Sequence, residues 1–176
     1  MRRKAILICL LLFIVSALQA KVTYQPSFSF SGGGTFTYKV EDMIRSSYSL
    51  KAEIDPIAIQ IDRRHTISIP GYFSYVSKTP YFRGYSLNAH MDFGAGISYR
   101  YSFNRTFSIR TIADMNIRYI YKVQGGIYSF GVTAEPWINF SDQVALIAPL
   151  RVGFTKGEIS FTPSVGISYV PLGGRR

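Results

Sequence analysis

Between Leu87 and Phe103 apolar and polar residues alternate without a break. Leu87, Ala89, Met91, Phe93, Ala95, Ile97, Tyr99, Tyr101 and Phe103 fall on one parity; Asn88, His90, Asp92, Gly94, Gly96, Ser98, Arg100 and Ser102 fall on the other. A strand turns successive side chains to opposite faces, so this period of 2 predicts one long strand with an apolar face and a polar face. Seventeen residues is far more than the typical strand of about 5–6. It suits a tilted strand that crosses a bilayer, which needs about 9–11 residues plus its interfacial ends.

The same alternation recurs and divides the chain into eight strands: Tyr24–Val40, Tyr48–Ile61, Thr66–Tyr75, Leu87–Phe103, Phe107–Tyr121, Ile127–Phe140, Val144–Phe154 and Ile159–Val170. In the second, the apolar parity is even from Tyr48 to Ile54 and odd from Ile57 to Ile61. The switch at Asp55-Pro56 predicts a β-bulge. Gly32 to Gly34 sit mid-strand and predict a bend or bulge. Pro26, Pro56, Pro70, Pro136, Pro149 and Pro163 fall within these strands, and each removes a ladder donor and predicts a bulge or strand end. The fold class that follows is all-β, an eight-stranded antiparallel up-and-down transmembrane β-barrel.

An even strand number puts both termini at one end. The connections at that end are short: Asp62 to His65, Asn104 to Thr106 and Ser141 to Gln143. The connections at the other end, about Glu41 to Ser47, Lys78 to Tyr85, Lys122 to Gly126 and Thr155 to Glu158, are short as well, which leaves no large extracellular binding loop. Outer-membrane barrels carry aromatic girdles at both interfaces. The assigned directions put Phe103, Phe107, Phe140 and Tyr169 at the periplasmic end and Tyr38, Tyr75, Tyr121, Tyr128 and Phe154 at the outer end.

The beginning of the chain reads differently. Arg2, Arg3 and Lys4 precede an apolar run from Ala5 to Val15 and small residues at Ala17 and Ala20. This is the pattern of a secretory signal peptide over residues 1–20, cleaved after Ala17 or Ala20, followed by one domain over residues 21–176. The single cysteine, Cys9, lies inside the leader after Ile8, so no lipid anchor is expected and the mature chain has no thiol chemistry. Removing the leader's three basic residues leaves 17 Lys and Arg against 10 Asp and Glu, a net +7. Export and the lack of a nucleic-acid motif assign that charge to anionic lipid headgroups rather than nucleic acid.

The run Gly96-Ile-Ser-Tyr-Arg-Tyr-Ser-Phe-Asn-Arg-Thr-Phe-Ser-Ile-Arg110 resembles the strand–short turn–strand of the small OmpA/OmpX/OmpW-type outer-membrane barrels. The resemblance is architectural and covers Lys21 to Val170. It implies an integral protein of the outer membrane of a diderm bacterium, with lipid as its partner and a monomer favoured. Such barrels end on an aromatic in the last strand; Tyr169 would serve, although Pro171 to Arg176 follow it.

If the apolar face meets lipid, the polar face lines the lumen with Lys39, Lys51, Arg100, Arg110, Arg118 and Arg151 and with Glu53, Asp55, Asp92, Asp114 and Glu135. An eight-stranded barrel is just wide enough for side chains to fill, so a salt-bridged, structural interior is expected. With Phe103 facing Phe107 across their turn, Asp92 faces Arg118 and Arg100 faces Arg110; that arginine pair then needs anions such as Glu53 or Asp114. The alternatives are a narrow passive channel for ions or small solutes, and a soluble lipocalin-like ligand binder with the two faces exchanged. Enzymatic chemistry is not expected. Of two histidines, His65 falls in a solvated turn, and His90 with Asp92 lacks a nucleophile motif. No metal site or cofactor is expected.

Overall fold

The computed structural model describes residues 26–39, 43–61, 64–78, 89–120 and 126–171. The leader, Tyr121, and most of the expected connections at Lys78–Tyr85 and Lys122–Gly126 lie outside the described residues. The described chain is all strand and turn. It forms β1 (Ser27–Lys39), β2 (Met43–Asp55, resuming as Ala58–Gln60), β3 (His65–Ser68, resuming as Gly71–Val76), β4 (His90–Ser102), β5 (Phe107–Ile120), β6 (Gly126–Asn139), β7 (Val144–Ile147, resuming as Leu150–Thr155) and β8 (Glu158–Tyr169). Each strand pairs antiparallel with the next, and β8 pairs back onto β1. The sheet is a closed eight-stranded barrel, and closure leaves no edge strand to aggregate.

The register fixes the stagger. From Phe28 the pairs run to Ile54, Gly71, Ala95, Met115, Phe130, Phe154 and Ile159 and return to β1 at Tyr38, ten residues from the start. A shear of ten over eight strands belongs to strands tilted by about 35–45°. Around such a barrel, distant strands bring residues of very different number to one height.

Burial is inverted relative to a soluble protein. Outward positions such as Phe30, Phe93, Ile97, Phe130, Val165 and Ile167 are more than half exposed, while Glu53, Asp92, Arg110, Asp114 and Glu135 are buried. The small apolar cluster inside is Trp137, Ala145 and Ile147. A soluble chain does not expose a contiguous apolar belt of this size, and the exchanged-face, lipocalin-like alternative fails on it.

The breaks in the ladder have local causes. The β2–β3 register shifts by one residue between Ile54↔Gly71 and Ala58↔Ser68, a bulge at Pro56-Ile57 that swaps the inward parity. Pro70 and Pro149 interrupt β3 and β7 without a shift: their carbonyls still accept from Gly96 and Ser164, and only the missing N–H opens the ladder. Pro136 and Pro163, expected at bulges or ends, instead lie within β6 and β8; each leaves a gap in one ladder and none in register. At Gly32–Gly34 there is no bulge, since β1 pairs with β2 without a register shift from Ser27 to Lys39, although the ladder to β8 skips Gly34 and Thr35. The turns at the terminal end are closed by side chains: Asn104 Oδ1 accepts from the N–H groups of Thr106 and Phe107 at 2.9 and 2.7 Å, and Ser141 Oγ from those of Gln143 and Val144.

Two adjacent glycines differ in their surroundings. A Cβ at Gly33 would stand 2.0 Å from the Pro163 carbonyl oxygen, whereas one at Gly34 would meet only the Phe36 ring at 3.5 Å. Gly33→Ala is therefore expected to lower stability by about 1–3 kcal/mol, and Gly34→Ala to stay within about 0.5 kcal/mol of the parent. Urea unfolding midpoints in detergent micelles measure both; equal midpoints would contradict the close β1–β8 approach.

Candidate functional site

The lumen holds two charged layers. The first is centred on Arg110 of β5. The β5–β6 register puts it opposite Glu135, 3.3 Å from Nη1 to Oε1. From the facing wall, β2 supplies Glu53, whose Oε1 lies 2.5 Å from Nη1, and Asp55, which takes both of its oxygens to Nη2 at 2.8 and 2.9 Å. The bulge directly after Asp55 ends the inward odd parity of β2, so Glu53 and Asp55 are its last acids on this face. Ser27 and Ser68 donate to Asp55, Lys51 pairs with Glu53 at 2.5 Å, and the Trp137 indole N–H donates to Glu135 at 2.6 Å. The Arg100 guanidinium lies 5.0 Å over the Trp137 ring, a cation–π contact that sets it beside Arg110 without a direct clash.

The second layer lies nearer the end opposite the termini. Arg151 of β7 donates to Asp114 at 2.7 and 3.2 Å and to the Tyr72 hydroxyl at 3.4 Å, and that hydroxyl donates to Asp114 at 2.6 Å. Glycines make this possible. A Cβ at Gly131 or Gly153, which face each other across β6 and β7, would collide with the Arg151 guanidinium, and one at Gly94 with the Tyr72 ring. At the mouth, Arg118 pairs with Asp92 at 3.2 Å and reaches Glu158 at 3.7 Å.

The network residues named from the sequence thus converge in one interior: Lys51, Glu53, Asp55, Asp92, Arg100, Arg110, Asp114, Arg118, Glu135 and Arg151. Lys39 ends β1 in register with Glu158 and Met43. Asp92 faces Arg118 and Arg100 faces Arg110. Of the two anions considered for the arginine pair, Glu53 takes Arg110, whereas Asp114 is held by Arg151 because β7 brings that guanidinium over the glycine pair. The sequence pattern does not single out Trp137, Tyr72 or Asp55's donors Ser27 and Ser68, and it places Glu158 in a turn. Trp137 and Tyr72 share parity with the polar residues of their strands, and that was the available signal.

His65 is not a solvated turn residue. It opens β3 opposite Tyr101, half-buried, with Nδ1 2.6 Å from the Tyr99 hydroxyl and its ring 5.1 Å from Tyr101. The aromatic chain continues through Tyr101–Phe103 and Phe103–Phe107 contacts along the end that carries the termini. Phe140 and Tyr169 face outward at that end, and Tyr38, Tyr75, Tyr128 and Phe154 at the other. His90 is buried at the mouth with Nε2 3.9 Å from Asp92, longer than a hydrogen bond.

Little open space remains. A cleft of about 50 Å³ on the mouth side is lined by Lys51, Tyr72, Asp92, Arg118 and Arg151. Another of about 60 Å³ on the terminal side is lined by Arg100, Ser108, Trp137 and Asn139. Each has room for a few waters at about 10–15 Å³ apiece. Between them stand Arg110, Ile112, Glu135 and Trp137, each at most 2% exposed. Removing Arg110 would leave buried Asp55 and Glu135 without a cation and Glu53 with Lys51 alone, so Arg110→Met is expected to cost about 3–5 kcal/mol. Arg110→Lys recovers only part, since one ammonium nitrogen cannot stand both where Nη1 meets Glu53 and Glu135 and where Nη2 meets Asp55. Urea midpoints of the three proteins measure this, and a stable Arg110→Met barrel would contradict the central role of the pair.

No protein-family model matches the chain, and no curated protein sequence matches it at a significant level. Solved structures do. Ail, the attachment invasion locus protein of Yersinia pestis, aligns over 82% of this chain and 97% of its own at 11% identity and a TM-score of 0.51. In complex with the heparin analogue sucrose octasulfate, the same protein gives a TM-score of 0.53 over 84% and 99%. Neisserial surface protein A gives 0.55 at 11% identity, over 82% of this chain and 96% of that one. At these identities the likeness is one of fold: the chain has the closed eight-stranded architecture of small outer-membrane β-barrels.

Proposed function

We propose that this chain is a small integral protein of a diderm outer membrane, exported by its leader and held in the bilayer by its apolar belt, with a structural or surface-interaction role. The carrying observation is the lumen. Its charges are spent on one another in two layers, and a layer of Arg110, Ile112, Glu135 and Trp137 separates the two small clefts. An interior of that kind holds the barrel together and passes no solute. What remains to interact is the outside: the lipid-facing belt and the rim opposite the termini, where the β7–β8 turn is only Lys156-Gly157. A turn this short keeps β7 and β8 close to the lipid headgroups. No catalytic step is part of this reading.

Fractionation with a gel-mobility assay and planar-bilayer recording tests it. The expected result is a detergent-requiring outer-membrane species that shifts on boiling and gives no conductance steps. A soluble periplasmic species would contradict the membrane reading, and regular conductance steps would support the passive channel. The belt has its own test. Ile97, 66% exposed at mid-strand, is expected to cost about 2–4 kcal/mol in a bilayer when changed to Arg; a neutral Ile97→Arg would mean that this face does not meet hydrocarbon.

A further inference from the structure

We propose that the wall formed by β6, β7, β8 and β1 carries a seam, a line of missing ladder bonds across four strands, at which the barrel opens locally and widens the mouth-side cleft. A proline nitrogen carries no hydrogen, so a hydrogen-bonded antiparallel pair that includes one keeps a single ladder bond where two would form. The Ala148 N–H donates to the Pro136 carbonyl at 3.1 Å and the Ser164 N–H to the Pro149 carbonyl at 2.9 Å; neither pair can form its return bond. Between β1 and β8 the ladder passes from Gly33↔Ser164 to Phe36↔Phe161, a register that sets Pro163 opposite Gly34 in the gap. These losses are consecutive. β7 is one bond short toward β6 at Ala148 and toward β8 at Pro149. β8 is one bond short toward β7 at Ser164 and toward β1 at Pro163. Pro70 differs: its carbonyl accepts from Gly96 at 3.0 Å, and on the other side of β3 the Ile69 N–H still donates to the Ile57 carbonyl at 3.2 Å. A single gap there is braced by the next strand, whereas β7 and β8 lack support on both sides at adjacent residues.

The lumen side of the line is not packed. Pro149, Ser164, Ser31 and Thr133 line the mouth-side cleft of about 50 Å³, and the buried Thr133 hydroxyl has no hydrogen-bond partner among the described residues. A backbone group outside a ladder finds no water on the lipid side of a bilayer, so the cleft is where carbonyls freed along the line are hydrated. The ionic layer is independent of this wall. Arg110 takes its carboxylates from β2 and β6, and β6 stays in register with β5 from Phe107↔Ile138 to Tyr119↔Gly126. Opening at the line therefore enlarges the cleft and leaves Glu135 beside Arg110, so the lumen stays closed below it. Local opening of this kind is set by how few bonds must break together.

Hydrogen exchange read by NMR on the full mature chain in detergent micelles tests the seam. The amides of Ala148 and Ser164 are expected to exchange about tenfold faster than that of Gly96, which donates the single bond at Pro70. Pro149→Ala returns a donor opposite Ser164 and is expected to slow Ala148 and Ser164 about threefold, while Gly96 keeps its rate. If Pro149→Ala does not fold, Pro163→Ala returns the donor opposite Gly34 and is expected to slow Ser164 alike. The widening has its own readout. Thr133→Cys, the only thiol once the leader that holds Cys9 is removed, is expected to react with a small water-soluble thiol reagent about threefold more slowly when Pro149→Ala or Pro163→Ala is added. Equal exchange at Ala148, Ser164 and Gly96 overturns the proposal. So does a folded Pro149→Ala or Pro163→Ala chain that exchanges like the wild type, or a Thr133→Cys reactivity that neither change alters.

Discussion

The Arg110 guanidinium constrains the barrel more than any other group. A charge taken out of water costs several kcal/mol unless it is paired and hydrogen-bonded, and Arg110 is 2% exposed. Its partners come from β2 and β6, so those strands must present Glu53, Asp55 and Glu135 at the height of β5 where Arg110 projects. The ten-residue stagger does this. It also sets where β2 must break, because the inward parity has to serve Glu53 and Asp55 and then change at Pro56-Ile57. Trp137 fills what the ions leave, giving its N–H to Glu135 and its face to Arg100. A barrel with one charge fewer here would hold an unpaired ion in its centre, and one with the wrong shear would not bring the partners together.

The second constraint is that one alternating pattern must satisfy two environments. Outside, each apolar side chain is exposed to what would be water in a soluble protein; inside, polar groups pair with one another along a strand, with the next strand or across the lumen. The three glycines around Arg151 and Tyr72 show how narrow the interior is. A single methyl at Gly131 or Gly153 would take the place of the guanidinium, so space for the second layer is made by leaving side chains out. The prolines are tolerated because each carbonyl of Pro70, Pro136 and Pro149 still accepts from a neighbouring N–H, and the cost is one donor per site.

Much of this was legible in the alternation. Period 2 gave the eight strands, the terminal-end turns, the bulge at Asp55-Pro56 and the facing pairs Asp92–Arg118 and Arg100–Arg110, because all depend on parity or on one short hairpin. The partners of Arg110 and Arg151 are legible only in part: Glu53 is one of two anions the sequence offers the arginine pair, and Glu135 lies opposite Arg110 on the next strand. Which acid each arginine takes across the lumen depends on the shear of the closed barrel, which no local pattern encodes. Trp137 and Tyr72 were missed because large aromatics suggest the lipid face, although their parity matches Thr133, Glu135, Ser68 and Ser74. His65 was read as solvated because ladder pairing with β4 begins one residue earlier than the apolar pattern does.

The account stands on the direction of the two faces. Spin labels at Met91, Phe93, Ala95, Ile97 and Tyr99, introduced one at a time in the mature chain and reconstituted in bilayers, measure it directly. Cys9 lies in the predicted leader, so each label would be the only one. Access to dissolved oxygen should exceed access to a water-soluble quencher at every position, with the greatest excess near Ala95 and Ile97. Greater access to the aqueous quencher along the whole stretch would place this face in water and contradict the account.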